Sequence, residues 1–192
     1  MKNFLTIASG IDTKPLLDAL NEHPELWNQI NFRTTTSGTS HSEVDDIIVR
    51  FDTPRENLVV EHDDMEQTWY PASKILPIMS YIYDLLRNIS GERIGRCVIT
   101  KLKPGKWIEP HIDGNLPLQP YVKYYQRIHI SLQNAPGAKF SIENESFTPV
   151  TGDVYVVANH KMHSVSNDSE IDRITMIVDM RTPMFEDLKV TQ

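Results

Sequence analysis

The sequence predicts a mainly β protein in which short strands form a sandwich or barrel and helices from the first half of the chain pack against it. Two observations predict this class. From about residue 94 the chain consists of short segments rich in β-branched residues, separated by Pro, Gly, Asn and Asp. Before that point, helical periodicity alternates with loop signals. A length of 192 residues suits one domain with a sizeable core.

The first ninety residues are expected to contribute two helices and a strand. Residues 13–27 carry Pro15 near a helix start and apolar residues three or four apart, which predicts a short amphipathic helix. Residues 42–52 end in alternating apolar and polar side chains, which predicts a strand. Residues 71–90 have apolar side chains at helical spacing, so we expect a helix that kinks or restarts near Pro77.

Six segments of the second half are predicted to be strands: "IGRCVITKL", "QRIHISLQ", "KFSIEN", "SFTPV", "GDVYVVAN" and "RITMIVDM". Several short strands at this spacing are typical of an all-β sandwich or barrel. We therefore expect a single domain over 1–192. Its helix-rich part over 1–93 would pack on a β core over 94–183, and 184–192 would be a tail.

Composition disfavours several classes of protein. The net charge of −7 argues against a general nucleic-acid binder, which usually carries a basic face. The chain has neither a signal-type apolar region nor a run of about 18 apolar residues, so no membrane contact is expected. The single cysteine, Cys97, cannot form an intramolecular disulfide and is expected to be a buried strand thiol. We expect a cytoplasmic protein, and the sequence leaves its oligomeric state open.

The histidines of the strand-rich half suggest a metal site. In "EPHIDGN" (109–115), His111 and Asp113 lie two apart on an extended segment, so their side chains project to the same side. Two histidines and a carboxylate can hold ferrous iron on one face and leave the opposite positions open. The third ligand would come from "NHKMHSVSN" (159–167), which offers His160 or His163.

An arginine distinguishes these two candidates. Arg173 follows His163 by ten residues and opens the strand "RITMIVDM". An antiparallel return of that length could place its guanidinium on the same inner face as the metal ligand, where it could bind a carboxylate in bidentate fashion. His160 would lie in the turn, so His163 is the favoured ligand.

Four segments together resemble the aspartyl/asparaginyl β-hydroxylase family of Fe(II)/2-oxoglutarate oxygenases, which includes free-proline hydroxylases. They are "PHID", "RIHISL", "GDVYVVANHKMHSVSN" and "DRITMIVDMR", within about residues 95–183. The resemblance implies a double-stranded β-helix core of the jelly-roll, cupin-like type. The animal branch of the family lacks the metal-binding acid, so Asp113 makes this chain more similar to the bacterial amino-acid hydroxylases.

The resemblance also implies a role for individual residues. The expected iron ligands are His111, Asp113 and His163. Arg173, helped by Thr100, would pair with the distal carboxylate of 2-oxoglutarate. Arg127 and His129 would contact the other end of this cosubstrate.

The implied activity is hydroxylation of an unactivated C–H bond of a small substrate. Its cofactors would be Fe(II), 2-oxoglutarate and O₂, and 2-oxoglutarate would be decarboxylated to succinate. A free amino acid such as proline is the expected substrate. The alternatives are an Asp, Asn or other side chain in a peptide or protein, and a non-catalytic cupin-like metal-binding protein. A nucleic-acid demethylase is disfavoured by the charge and by the lack of a basic aromatic stripe.

Simpler explanations exist for single residues. Arg127 and His129 could form a polar strand face, and Arg173 could belong to a surface ion pair. His41 and Arg50 could face the cleft or lie on an exposed strand edge. The joint spacing of the motifs, rather than any one residue, supports the site.

Overall fold

The structure is a computed structural model and describes residues 3–52, 67–88, 91–113 and 125–182. The helices within these ranges are α1 (Lys14–Glu22), α2 (Phe32–Thr35), α3 (Ala72–Ile75) and α4 (Ile78–Asn88). The strands are β1 (Phe4–Ala8), β2 (Val44–Asp52), β3 (Gln67–Trp69), β4 (Arg93–Leu102), β5 (Trp107–His111), β6 (Tyr125–Gln133), β7 (Ala138–Ile142), β8 (Glu145–Phe147), β9 (Val154–Val157), β10 (His163–Asn167) and β11 (Arg173–Arg181).

These strands form two antiparallel sheets. The larger sheet has the order β1-β9-β6-β11-β4-β2-β3, and the smaller has the order β5-β10-β7-β8. A shared apolar cluster joins the facing sides of the two sheets, with Tyr155 and Leu102 from the larger sheet and Phe140 and Val165 from the smaller. This is the arrangement of a double-stranded β-helix, so the predicted mainly β, jelly-roll fold class is confirmed.

Side chains of the larger sheet alternate between its two faces, and both faces are buried. On β11, Met176 and Val178 pack into a core with Leu16 of α1 and Ile82 of α4. The side chains that alternate with Met176 and Val178 along β11 face the smaller sheet instead. A pocket therefore opens between the two sheets, and polar residues of β4, β6 and β11 reach into it.

The helices depart from the sequence prediction at prolines. The helix expected over 13–27 ends at Glu22, and a separate 3₁₀ turn begins at Pro24. Proline lacks the N–H that would continue the helix, and it moves the preceding residue out of the helical region. The predicted interruption near Pro77 is confirmed, since α3 ends at Ile75 and α4 begins at Ile78. Residues 89–90 of that prediction lie outside the described residues.

The strand predicted over 42–52 corresponds to β2, and the six predicted segments of the second half correspond to β4, β6, β7, β8, β9 and β11. Strands β1, β3, β5 and β10 were not predicted. Because β1, β2 and β3 also join the larger sheet, the part before residue 94 contributes strands as well as packing helices. The division at residue 93 stays a prediction, and the proposed tail over 184–192 lies outside the described residues.

The structure bears on two further sequence predictions, one about Cys97 and one about membrane-spanning segments. Cys97 is fully buried on β4, as predicted, and burial raises the pKa of its thiol. Among the described helices, none has the length and apolar character needed to cross a membrane.

Candidate active site

The three predicted metal ligands come together at the junction of β5 and β10. His111 ends β5, His163 begins β10, and the two residues are direct partners in the antiparallel register. Asp113 lies just beyond β5, where its backbone N–H donates to the Asn159 carbonyl at 3.0 Å. One potential ligand atom from each of the three side chains lies within 4.8 Å of the others. The structure therefore brings His111, Asp113 and His163 into one cluster.

Both histidines are held in the tautomer that a metal requires. The Nδ1–H of His111 donates to the Glu109 carbonyl at 2.7 Å, and that of His163 donates to the Lys161 carbonyl at 2.8 Å. Because a carbonyl can only accept, Nδ1 carries the proton and Nε2 keeps its lone pair. The two Nε2 atoms lie 3.6 and 3.9 Å from Oδ1 of Asp113.

The carboxylate of Asp113 has one engaged oxygen and one oxygen that faces the histidines. Oδ2 accepts hydrogen bonds from Arg127 Nη1 at 2.6 Å and from Asn159 Nδ2 at 3.0 Å. Burial opposes ionisation, but the Arg127 guanidinium and the histidine contacts outweigh it and hold the pKa of Asp113 well below its usual range. A charged oxygen and two imidazole nitrogens thus point to one place, and this donor set suits Fe(II).

Arg127 is oriented by a second carboxylate. Its Nε and Nη2 donate to the two oxygens of Asp179 at 2.8 and 3.1 Å, across the β6–β11 pairing. The guanidinium therefore bridges Asp179 and Asp113. The predicted contact between Arg127 and a cosubstrate stays a prediction, whereas its contact with Asp113 was not foreseen.

Arg173 lies on β11 and is only 3% exposed. Its Nη2 donates to the Tyr155 hydroxyl at 3.1 Å, while its Nε has no hydrogen-bond partner within the described part of the chain. Thr100 is buried on the adjacent strand and lines the same pocket. No carboxylate among the described residues pairs with Arg173, and a buried cation in this state favours an anionic ligand.

His129 is buried between these groups. Its ring stacks on Tyr155 with centroids 5.0 Å apart. Burial, together with the Arg127 and Arg173 guanidinium groups, lowers the pKa of His129 well below its usual value. Neither ring nitrogen has a hydrogen-bond partner in the described ranges, so a neutral imidazole is available to a ligand.

All seven predicted site residues line a single pocket between the sheets: Thr100, His111, Asp113, Arg127, His129, His163 and Arg173. His160 lies in the turn before β10 and outside the metal cluster. Arg50 lies elsewhere: its Nε donates to the Gly95 carbonyl at 3.0 Å, and its guanidinium covers the Trp69 ring. His41, which could have faced either way, lines the pocket.

Two residues at one side of the pocket give it a further polar wall. Arg33 of α2 donates to the buried carboxylate of Asp46. The His41 ring lies edge-to-face against His111, with centroids 5.0 Å apart. Burial, aided by the nearby Arg33 charge, lowers the pKa of His41 to about 2.

Sequence reasoning missed several of these residues. Strand alternation could have identified Asp179, because Arg173 and Asp179 are an even number of residues apart on β11 and so face the same side. The segment "NFRTTTSG" carries no periodic signal that would identify Arg33. The role of Asn159 depends on a turn that meets Asp113 only in the folded chain.

Comparison with known proteins gives a family match. The family model described as aspartyl/asparaginyl beta-hydroxylase matches residues 57–183, which is more than half of the chain. A comparison with curated protein sequences found no significant match.

Three solved structures are similar to this chain. A 2OG-Fe(II) oxygenase family oxidoreductase from Burkholderia pseudomallei has 20% identity and a TM-score of 0.53, over 72% of this chain and 68% of its own. A prolyl-4-hydroxylase from Pseudomonas putida has 12% identity and a TM-score of 0.53, over 94% and 92%. The viral collagen prolyl hydroxylase of Paramecium Bursaria Chlorella virus-1, in its 2OG complex, has 12% identity and a TM-score of 0.51, over 94% and 96%. At these identities the likeness shows a shared fold.

Proposed function

This chain belongs to the aspartyl/asparaginyl beta-hydroxylase family, and we propose that it hydroxylates an unactivated C–H bond of a small substrate, with a free amino acid such as proline as the first candidate. It is an enzyme, a 2-oxoglutarate-dependent dioxygenase, with Fe(II), 2-oxoglutarate and O₂ as its cofactors. Its substrate is a small molecule or a peptide.

One observation carries the proposal. The Nε2 atoms of His111 and His163 and Oδ1 of Asp113 converge beside a pocket that also contains Arg173, a buried guanidinium with an unused donor. A structural metal site has no need of such a cation. A site that binds a metal together with an anionic cosubstrate does need one.

We assign the metal to His111 Nε2, His163 Nε2 and Asp113 Oδ1. A metal held by these three residues on one side would keep positions open to cosubstrate and O₂. Iron and 2-oxoglutarate would supply the oxidative chemistry there, in which the cosubstrate would become succinate and carbon dioxide, with one atom of O₂ entering succinate and the other the substrate.

The other residues bind and orient. Arg173 and Thr100 bind the distal carboxylate of 2-oxoglutarate, and the Tyr155 hydroxyl holds Arg173 in place. His129, neutral and without a hydrogen-bond partner in the described ranges, contacts the other end of the cosubstrate. Arg127 keeps Asp113 ionised and oriented. Apolar side chains of the smaller sheet, such as Phe140 and Val165, line the pocket and limit water.

The names of two similar structures support a proline-type substrate, since both are prolyl hydroxylases. Free proline and proline within a peptide are therefore the first pair to test. Hydroxylation of an Asp or Asn side chain, which the family description names, is the alternative within the same chemistry.

A mass-spectrometric screen tests the function. The purified chain is incubated with Fe(II), 2-oxoglutarate and air, together with single amino acids or short peptides. We expect a product heavier by one oxygen atom for one class of substrate, and succinate in equal amount. If neither product nor succinate forms with any of these substrates, the proposed hydroxylation of an amino acid or peptide is contradicted, and the non-catalytic alternative is favoured.

A further inference from the structure

We propose that the substrate carries a carboxylate and that Arg33 binds it, beside the wall that His41 forms against the metal ligand His111. This inference rests on the proposed function, because it identifies the substrate class of the same pocket. It assigns a binding role to Arg33, which lies outside the recognised motifs.

Three arginines line the pocket, and two of them have other duties. Arg127 donates three hydrogen bonds of 2.6 to 3.1 Å to Asp113 and Asp179. Arg173 is buried beside Tyr155 and is the cation we assign to the cosubstrate. Arg33 is the lining arginine that neither task uses.

One hydrogen bond holds the Arg33 guanidinium in place, and its remaining N–H donors are available to a ligand. Its Nη1 donates to Oδ2 of Asp46, whose side chain is fully buried. Its other N–H groups have no hydrogen-bond partner in the part of the chain that the structure describes, and its side chain is 17% exposed. A guanidinium fixed at one nitrogen still presents a planar pair of donors, the geometry that binds a carboxylate in bidentate fashion.

The segment that carries Arg33 is fastened to the strand that carries His111. The Arg33 carbonyl accepts from the Thr39 hydroxyl at 2.8 Å, and the Glu109 N–H of β5 donates to the Ser40 carbonyl at 3.2 Å. Next to Ser40, the His41 ring contacts His111. The wall formed by Arg33 and His41 therefore lies against the metal cluster. A small acid whose carboxylate is bound by Arg33 would have its other carbon atoms on the metal side of the pocket.

A competing explanation is that Arg33 only neutralises Asp46. Removing Arg33 would then destabilise the fold, because Asp46 would be left as an unpaired buried carboxylate. A lysine at position 33 retains the charge beside Asp46 but lacks the planar fork. Arg33→Lys therefore separates the pairing role from carboxylate binding.

The test compares an acid with its amide. Binding of L-proline and L-prolinamide is measured by calorimetry or ligand-observed NMR on protein loaded with Zn(II) and 2-oxoglutarate, so that no turnover occurs. The same acid and amide pair is measured for each of the other common amino acids. We expect the wild type to bind at least one acid about tenfold or more tightly than its amide. That preference should fall close to one in Arg33→Met and decrease substantially in Arg33→Lys.

Arg87→Met, at an exposed position on α4, is the matched control and should keep the preference. If Arg33→Met does not fold, the result is taken from Arg33→Lys, which we expect to have the wild-type melting temperature. The proposal is overturned if the wild type binds no acid more tightly than its amide, or if the Arg33 variants keep the full preference. Succinate formation by the wild type is measured separately, and its absence would sink the proposed function rather than this inference.

Discussion

Asp113 and Arg127 are joined by a hydrogen bond of 2.6 Å between Nη1 and Oδ2, while Oδ1 of the same carboxylate faces the two histidines. Asn159 donates to the same Oδ2 at 3.0 Å. Protein donors therefore define the orientation of the carboxylate. Arg127 and Asn159, which are not themselves ligands, determine which oxygen of Asp113 faces the metal position. This is common for ligands that are oriented by their outer partners.

The Asn159→Ala protein should bind metal more weakly. It loses one of the two side-chain donors at Oδ2, while the backbone carbonyl of residue 159 can still accept from the Asp113 N–H. We expect a loss of about tenfold, the lower end of what outer-partner substitutions cost. A competition titration with Zn(II) measures it, with Asn88→Ala on the exposed side of α4 as the control. Equal affinities of the Asn159→Ala and control proteins would show that Arg127 alone orients Asp113.

Substitution of Arg173 should remove recognition of the distal carboxylate. Hydrogen bonds to charged groups contribute about 1.5–3 kcal/mol each, so we expect Arg173→Met to weaken 2-oxoglutarate binding by about 10- to 150-fold. The measurement compares 2-oxoglutarate with 2-oxovalerate, which has a methyl group in place of the distal carboxylate, on Zn(II)-loaded protein. The wild type should prefer 2-oxoglutarate, and the variant should not. A preference that persists in Arg173→Met, as in the Arg87→Met control, would assign the carboxylate to another residue.

The stability of the metal-free protein should fall as the pH falls below about 6.5. Burial lowers the pKa of His41, His129 and His163 in the folded state, so the unfolded chain binds more protons than the folded chain in this range. Each such group makes the free energy of unfolding rise with pH by about 1.4 kcal/mol per unit between its folded pKa and 6.5. Asp113 acts in the opposite window, since its stabilisation is lost only as the pH falls below 3.8.

Denaturant titrations between pH 5 and 7 in the presence of a chelator measure this slope. His129→Phe keeps an aromatic ring against Tyr155. It should reduce the slope by the contribution of one titrating group, about 1.4 kcal/mol per pH unit. A slope near zero for the wild type, or one that His129→Phe leaves unchanged, would contradict a neutral buried His129.

The strands that could be predicted are those whose own composition favours β structure. β4, β6, β9 and β11 are rich in β-branched residues and were found from the sequence. β5 ("WIEPH") contains a proline and β10 ("HSVSN") is largely polar, so neither has a local signal. Their pairing at His111 and His163 arises from tertiary structure, which short-range patterns do not report.

The same distinction applies to the site. Residues in a motif with regular spacing, such as His111, Asp113 and Arg173, can be predicted from the sequence, and they line one pocket. Arg33 reaches the pocket from a short helix, and Asn159 reaches Asp113 from a turn, and only the folded chain brings them there. For Arg127 the sequence placed the residue at the pocket but did not predict its contact with Asp113.

Iron-dependent succinate formation by the Asp113→Ala protein tests the central claim most directly. The substitution removes the charged oxygen between the two Nε2 atoms, while Arg127 keeps Asp179 as its partner, so we expect the fold to persist. With Fe(II), 2-oxoglutarate and air, the wild type and Asp84→Ala, an exposed control on α4, should both form succinate. Asp113→Ala should form none, and Fe(II) should no longer tighten its binding of 2-oxoglutarate. Succinate formation that continues unchanged in Asp113→Ala would contradict the assignment of the metal to His111, Asp113 and His163.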